Sequence, residues 1–376
     1  MSWRLSQKAV SCKKTVVFRA CNIDIARLME GSIYQFDGRS RSMAARSGAP
    51  VAVVHPRVPP ALRDVPLVGV IRNPRSHRNK GHLPELDGQP NILTASPPTR
   101  SELARVLSGF AERGIDLLAV DGGDGTVRDV LTCGAAAFGD HWPRLIVLPK
   151  GKTNALAVDL GLPNHWALSD ALIAAVDGRL VERRPILVEQ ADGQGVPVLG
   201  YVFGAGIFTT ATQDGQTAHK LGAFNSFAVA LTAVAGVFQA LFGLGASPWR
   251  TATGMRIYDA ADGSEVPHSG HGRRDQRYAM AFSTLKRFPA GLNPFGRPRP
   301  GIRYVLLDAP LRRVVALVPG LLMGWDRPAF QKLGVHRGAV NEALVDLDGS
   351  FILDGEAFPA GHYRLRLGPK IQFVAP

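Results

Sequence analysis

Asp121-Gly122-Gly123-Asp124-Gly125-Thr126 stands between an apolar run and a segment with helical spacing. Glycines at such a turn let the backbone approach a phosphate, and the next helix's N-terminus offers free N–H groups and the positive end of its dipole. In an open α/β sheet, ligands bind beyond the carboxyl ends of the strands. A carboxylate at position 124 suits such a cradle if it meets a metal ion, a sugar hydroxyl or a catalytic network. An ordinary Gly/Asp turn with Thr126 as helix N-cap is the plainer reading, and three glycines plus the acid weigh against it. A second loop, Pro149-Lys150-Gly151-Lys152-Thr153-Asn154, follows the next apolar run. Its Gly-Lys-Thr resembles the end of a Walker A loop, but the first glycine of that motif would fall at Ile146, inside the strand, which excludes it. Lys152 can still bring positive charge to a phosphate; otherwise it is a solvated lysine. Near the C-terminus, Leu353-Asp354-Gly355-Glu356 sets two carboxylates around a glycine. Taken alone, that is most simply an Asp-Gly turn with a surface Glu.

These turns need a scaffold, and the pattern around them supplies one. Val65–Ile71 reads as a strand ending at Asn73-Pro74, Ser101–Glu112 as a helix ended by Gly114, and Ile115–Val120 as a second strand. Another helix runs through Val127, Val130 and Leu131. Arg144–Leu148 is a third strand, with helices over Ala155–Leu160 and Leu168–Val176. Alternating helices and buried strands predict a doubly wound parallel sheet covered on both faces. Beyond about Arg183 the texture becomes β-rich with few helices: Pro185–Glu189, Val196–Phe203, Met255–Tyr258, Tyr278–Phe282 and Arg303–Leu307 read as strands. Val340–Val374 alternates apolar and polar residues around turns at Asp348-Gly349 and Pro359-Ala360-Gly361. The expected fold is α/β: an N-terminal nucleotide-binding domain over 65–183, then an antiparallel β-sandwich over 184–376 whose C-terminal tail can pack back on the first domain.

With 376 residues the chain has room for two domains of about 150 residues. Hydrophobic residues at 45% and charged residues at 20% exclude a disordered, collagenous or fibrous chain. Cys12, Cys21 and Cys133 are too few and scattered for a disulfide framework or zinc cluster, which favours a reducing cytoplasm. The net charge of +13 predicts acidic partners: nucleotides, nucleic acid or anionic lipid headgroups. Over half of it sits in residues 1–60, where ten Lys/Arg face only Asp24, Glu30 and Asp37. We read 1–64 as a poorly ordered basic extension; a lipid-binding arm and a true start at Met43 are the alternatives. No secretory signal is visible. Between Lys220 and Arg250 lie 29 uncharged residues. Polar Asn225, Ser226, Thr232 and Gln239, with apolar residues at helical spacing, favour a core or lipid-lining helix over a membrane span.

The ordered set of motifs carries a resemblance. The Gly-Gly-Asp-Gly-Thr turn after a strand, the P-x-G-x-x-N loop after the next one and the late Asp-Gly-Glu are similar to the diacylglycerol kinase catalytic family, which includes sphingosine, ceramide and bacterial lipid kinases. Asn73-Pro74, Gly204-Ala205-Gly206-Ile207-Phe208 and Lys220-Leu221-Gly222 before an apolar helix also match, so the resemblance covers roughly Val65–Val374. It implies a two-domain fold with the active site in the cleft. Gly122, Gly123, Gly125 and Thr126 would cradle ATP, with Asp124 in a Mg²⁺-linked acidic network. Asn73, Thr94, Gly151, Lys152, Thr153 and Asn154 would add nucleotide contacts. Glu356 would be the general base toward a lipid hydroxyl, supported by Asp354. The second loop has Lys152 where the family carries Thr. The stretch Arg297–Arg303 lacks the carboxylate of the family's structural metal loop, so no metal is expected there.

The resemblance thus implies an ATP-dependent kinase of diacylglycerol or a related lipid alcohol. Such an enzyme would be cytoplasmic, peripheral on the inner face of the membrane and able to form a homodimer. An NAD kinase shares the glycine turn, but its characteristic second-loop segment has no clear match here. A non-catalytic lipid- or nucleotide-binding protein of the same fold is the other alternative; the intact acids disfavour it. Nucleic acid is not expected as a partner, because the basic residues are not interleaved with aromatics on a recognisable module.

Overall fold

The computed structural model describes residues 62–193, 195–209 and 251–376. Almost all of the expected basic extension, the Lys220-Leu221-Gly222 match and the uncharged 221–249 stretch lie outside these residues.

The first half alternates strand and helix as its apolar pattern requires: β1 (Val68–Arg72), β2 (Ile92–Ala95), α1 (Arg100–Glu112), β3 (Leu117–Gly122), α2 (Asp124–Phe138), β4 (Arg144–Pro149), α3 (Ala155–Leu160), α4 (Leu168–Val176) and β5 (Leu180–Arg183). β1 and β3 are buried along their whole length, as expected of central strands covered on both faces. Thr99 caps α1, its Oγ1 accepting from the Glu102 N–H at 3.2 Å. Leu103, Leu107 and Phe110 then bury one face of that helix against the sheet.

The second half is antiparallel. One sheet contains β6 (Ile186–Gln190), β7 (Val198–Gly200), β9 (Thr253–Asp259), β10 (Gln276–Arg277), β14 (Glu342–Leu347) and β17 (Gly361–Leu367). The other contains β8 (Val202–Gly206), β11 (Ala279–Ser283), β12 (Ile302–Leu307), β13 (Val335–Val340), β15 (Phe351–Leu353) and β16 (Glu356–Phe358). Inner-face residues of both sheets share one core, including Ile257, Val345 and Leu365 from the first, and Phe203, Phe282 and Phe351 from the second. Phe203 and Phe351 stack at 4.6 Å between ring centroids, and Tyr363 meets Phe351 edge-on at 4.8 Å. The β-rich reading overlooked one helical excursion. After β12 the chain forms α5 (Arg312–Leu322) and the short α6 (Ala329–Lys332).

The final strand, β18 (Ile371–Val374), leaves the sandwich and enters the first sheet, whose order is β2-β1-β3-β4-β18-β5. It runs parallel to β4 and antiparallel to β5. The two halves are therefore joined by hydrogen-bonded backbone as well as by packing. A side-chain bond adds to this, with Leu199 N–H of β7 donating to Thr132 Oγ1 of α2 at 3.1 Å.

Candidate active site

The loops after β1, β3 and β4 meet at the carboxyl edge of the first sheet. Asn73 bridges two of them: its Nδ2 donates to Thr126 Oγ1 at 2.9 Å, and both residues are buried. Buried Asn79 holds the base of the same turn, its Nδ2 donating to the carbonyls of Asn73 and Asp121 and to the Asp121 carboxylate, each at 3.0 Å. Arg72 lies 3.5 Å from the other Asp121 oxygen. Asn154 folds the second loop on itself: its Oδ1 accepts from Gly151 N–H at 2.8 Å and its Nδ2 donates to Gly151 O at 3.0 Å.

Gly123 and Gly151 are where these two loops touch backbone to backbone. A Cβ on Gly123 would stand 2.9 Å from the Gly151 Cα, and one on Gly151 would stand 2.7 Å from the Gly123 Cα. A side chain at either position forces the loops apart. Gly123→Ala should cost about 1–3 kcal/mol, as overpacking does, which urea unfolding of the variant checks.

Asp124 and Asp354 face one another across a small cavity also lined by Val127, Ala155, Leu156, Tyr201 and Leu285. Asp124 accepts from the N–H groups of Ala155 (3.0 Å) and Leu156 (3.2 Å), the first turn of α3. Asp354 has a left-handed backbone (φ 45°) ahead of Gly355, and its two oxygens accept from Tyr201 and Val202 N–H, each at 2.9 Å. Burial raises both carboxyls. For Asp354, burial and then the Asp124 charge lift the value to about 7 from an ordinary 3.8.

That shift fixes the sign of a stability effect. The folded state holds this proton more tightly than the unfolded chain. The contribution is therefore fully favourable below pH 3.8, is lost as pH rises toward 7, and is constant above it. Asp354→Asn lacks the titration, so its melting temperature relative to wild type should be higher at pH 8 than at pH 5. A difference independent of pH would contradict it.

Glu356 lies at the start of β16, buried among arginines that the motif does not contain. Arg100 Nη2, from the first turn of α1, donates to both Glu356 oxygens at 3.0 and 2.8 Å and to Asp129 Oδ1 at 3.0 Å. Arg128, from α2, pairs with Glu356 and with Asp129, and its Nη1 donates to Leu353 O at 3.2 Å. Two guanidiniums and two carboxylates thus close a buried network across the two halves. Burial opposes the Arg128 charge, yet Asp129 and Glu356 hold its proton affinity above the ordinary value. Neither arginine was a sequence candidate. The available signal was Arg128-Asp129 lying between Val127 and Val130 in a helix whose neighbours are all core.

The remaining expected residues are less convergent. Lys152 and Thr153 are exposed on the second loop. Thr94 is on β2, at the edge of the sheet, opposite Val70 of β1. A cavity of about 250 Å³ opens beside Asp121, lined by Arg78, Asn79, His82, Glu85 and Lys150. Lys150 pairs there with Glu85 at 3.3 Å.

Known proteins share part of this sequence and its fold. The family model of the diacylglycerol kinase catalytic domain matches residues 68–184. Probable lipid kinase YegS of Shigella flexneri is 33% identical over 82 residues, 22% of this chain and 27% of that protein. Probable lipid kinase YegS of Escherichia coli O1:K1 / APEC matches to the same extent. The match thus spans about a quarter of the length of these relatives. A solved diacylglycerol kinase from Bacillus anthracis str. Sterne shares the fold, with a TM-score of 0.54 and 13% identity, covering 84% of this chain and 98% of its own. Residues 68–184, which carry the loops after β1, β3 and β4, thus match the diacylglycerol kinase catalytic domain, and the described chain shares the two-part fold of the Bacillus anthracis kinase.

Proposed function

We propose that this chain is an ATP-dependent lipid kinase acting on diacylglycerol or a related lipid alcohol at the inner face of the cytoplasmic membrane. The observation that carries the reading is the meeting of the strand-end loops of the first sheet with Asp354 and Glu356 of the sandwich. The turn Gly122–Thr126 and the loop Gly151–Asn154 take the triphosphate, with Lys152 as an exposed positive charge. Among the described residues no group of three or more His, Cys, Asp or Glu is placed to hold a metal ion. Asp124 and Asp354 line one cavity of about 10 Å³ and would hold a Mg²⁺ ion through the lone pairs left by their backbone donors, its other ligands coming from phosphate and water, the usual habit of this ion. Bound there, Mg²⁺ would neutralise phosphate charge.

In the transfer, the lipid oxygen forms a bond to the γ-phosphorus, the bond from that phosphorus to the β–γ bridging oxygen breaks, and ADP departs. The hydroxyl proton passes to a carboxylate, because an alcohol is a poor nucleophile until its proton begins to leave. Glu356 takes that role here, its orientation set by Arg100 and Arg128.

Glu356→Gln tests the assignment: turnover should be lost at every pH while ATP binding persists. Wild-type turnover in both Glu356→Gln and Asp354→Asn would remove the acidic group from the mechanism.

A further inference from the structure

The side of α5 that faces solvent is apolar. Arg312 and Arg313 are exposed at its start, but from Val314 to Met323 the chain carries no polar side chain. Val314, Val315 and Leu321 turn inward, while Ala316, Pro319, Leu322 and Met323 are exposed. Helices apolar on every side are normally buried. This one continues into a ledge: Met323 is 65% exposed and Trp325 is 55% exposed. Leu292 joins it, because the neighbouring Asn293 N–H donates to Leu322 O at 2.6 Å.

The ledge is held in place. From β13, Arg337 donates to Leu321 O at 2.6 Å and also to Trp325 O, and the Trp325 ring lies against Gly320. Its surroundings are basic: residues 284–337 contain ten Lys/Arg and only two acids, Asp308 and Asp326. Asp308 is buried against Arg277 and His336, and Asp326 is paired with Arg299. Exposed Arg312 and Arg313 at the start of α5, and Arg297 and Arg327 beside Asp326 near its end, therefore accompany an apolar ledge whose exposed aromatic is a tryptophan.

We infer that α5 and the Met323–Trp325 ledge form the face by which this protein lies on an anionic lipid bilayer. The apolar face enters the headgroup–acyl boundary, Trp325 sits at that boundary, and the arginines meet acidic headgroups. Charge complementarity selects this occupant over a neutral protein surface. The position also suits the site. Leu285 lines the cavity between Asp124 and Asp354, and Leu292 is seven residues further on, at most about 25 Å away along an extended chain. The inference draws its purpose from the lipid-kinase reading, but membrane binding is measurable without turnover.

The test is sedimentation of the full chain with vesicles of 1:1 phosphatidylglycerol and phosphatidylcholine, or of phosphatidylcholine alone, in the absence of ATP. Wild type should bind the anionic vesicles at least tenfold more tightly than the neutral ones. The exposed double variant Ala316→Glu/Met323→Glu should lose at least tenfold, and Arg312→Ala/Arg313→Ala should flatten the anionic preference. Trp325→Ser, a smaller change, guards against misfolding and should weaken binding severalfold. Unchanged binding by variants with wild-type melting temperatures overturns the proposal. So does a wild-type dimer that the double variant makes monomeric with vesicle binding intact, since a second copy would then cover the face. Vesicle binding by a wild type that transfers no phosphate to lipid in detergent micelles would leave the face standing and remove the kinase reading.

Discussion

Asp124→Asn should lower phosphoryl transfer by about 10³-fold and leave the protein folded. That magnitude is typical of removing one preorganised electrostatic group from a site where charge is redistributed. Asp124 is one of the two carboxylates on the cavity where the proposed cation would sit, beside the two glycine loops. The amide keeps the volume and one acceptor but presents an NH₂ toward a backbone N–H of Ala155 or Leu156. This cap loss costs about 1 kcal/mol, too little to unfold the chain. Steady-state kinetics with Mg²⁺, read beside thermal melts, check both halves. A wild-type rate would remove Asp124 from the reaction, and a collapsed melt would make it a structural cap alone.

Arg128→Ala should be the most damaging single change to stability, at about 3–5 kcal/mol, because it strands buried carboxylates that had a cationic partner. Arg128 is 3% exposed and contacts Asp129, Glu356 and the Leu353 carbonyl. Arg100 remains to serve both acids, but its one Nη2 already spans them. Removing the charge on both sides is cheaper than removing it on one. Arg128→Met/Glu356→Gln should therefore recover part of the stability without recovering turnover. Urea unfolding of Arg128→Met, Glu356→Gln and the double variant gives the coupling energy. Additive losses would mean that the pair contributes no interaction across the halves.

The first half was legible because each of its central strands is a short apolar run closed by a breaker, and each helix carries its own stripe. Gly122 to Thr126 stood out for the same reason, at a strand end with nothing else to explain three glycines. The crossing of Gly123 with Gly151 was not legible, since it depends on how two loops 28 positions apart are juxtaposed by the sheet. Arg100 was hidden because an arginine in the first turn of an amphipathic helix reads as solvated. Only the return of the chain at β16 sets Glu356 against it, 256 residues later. The helix α5 escaped because its period is lost: Val314 to Met323 is apolar on both faces, which resembles a strand as much as a helix. Its exposed side is the part that the core does not explain.

The most direct measurement is transfer of label from [γ-³²P]ATP with Mg²⁺ to diacylglycerol, sphingosine and a total lipid extract in mixed micelles. NAD serves as a parallel soluble acceptor and Asp124→Asn as the control. A labelled lipid in the organic phase, lost in the variant, is the result expected of a lipid kinase, and it names the substrate class at once. Label in NADP, or no transfer with no ATP bound, would contradict it.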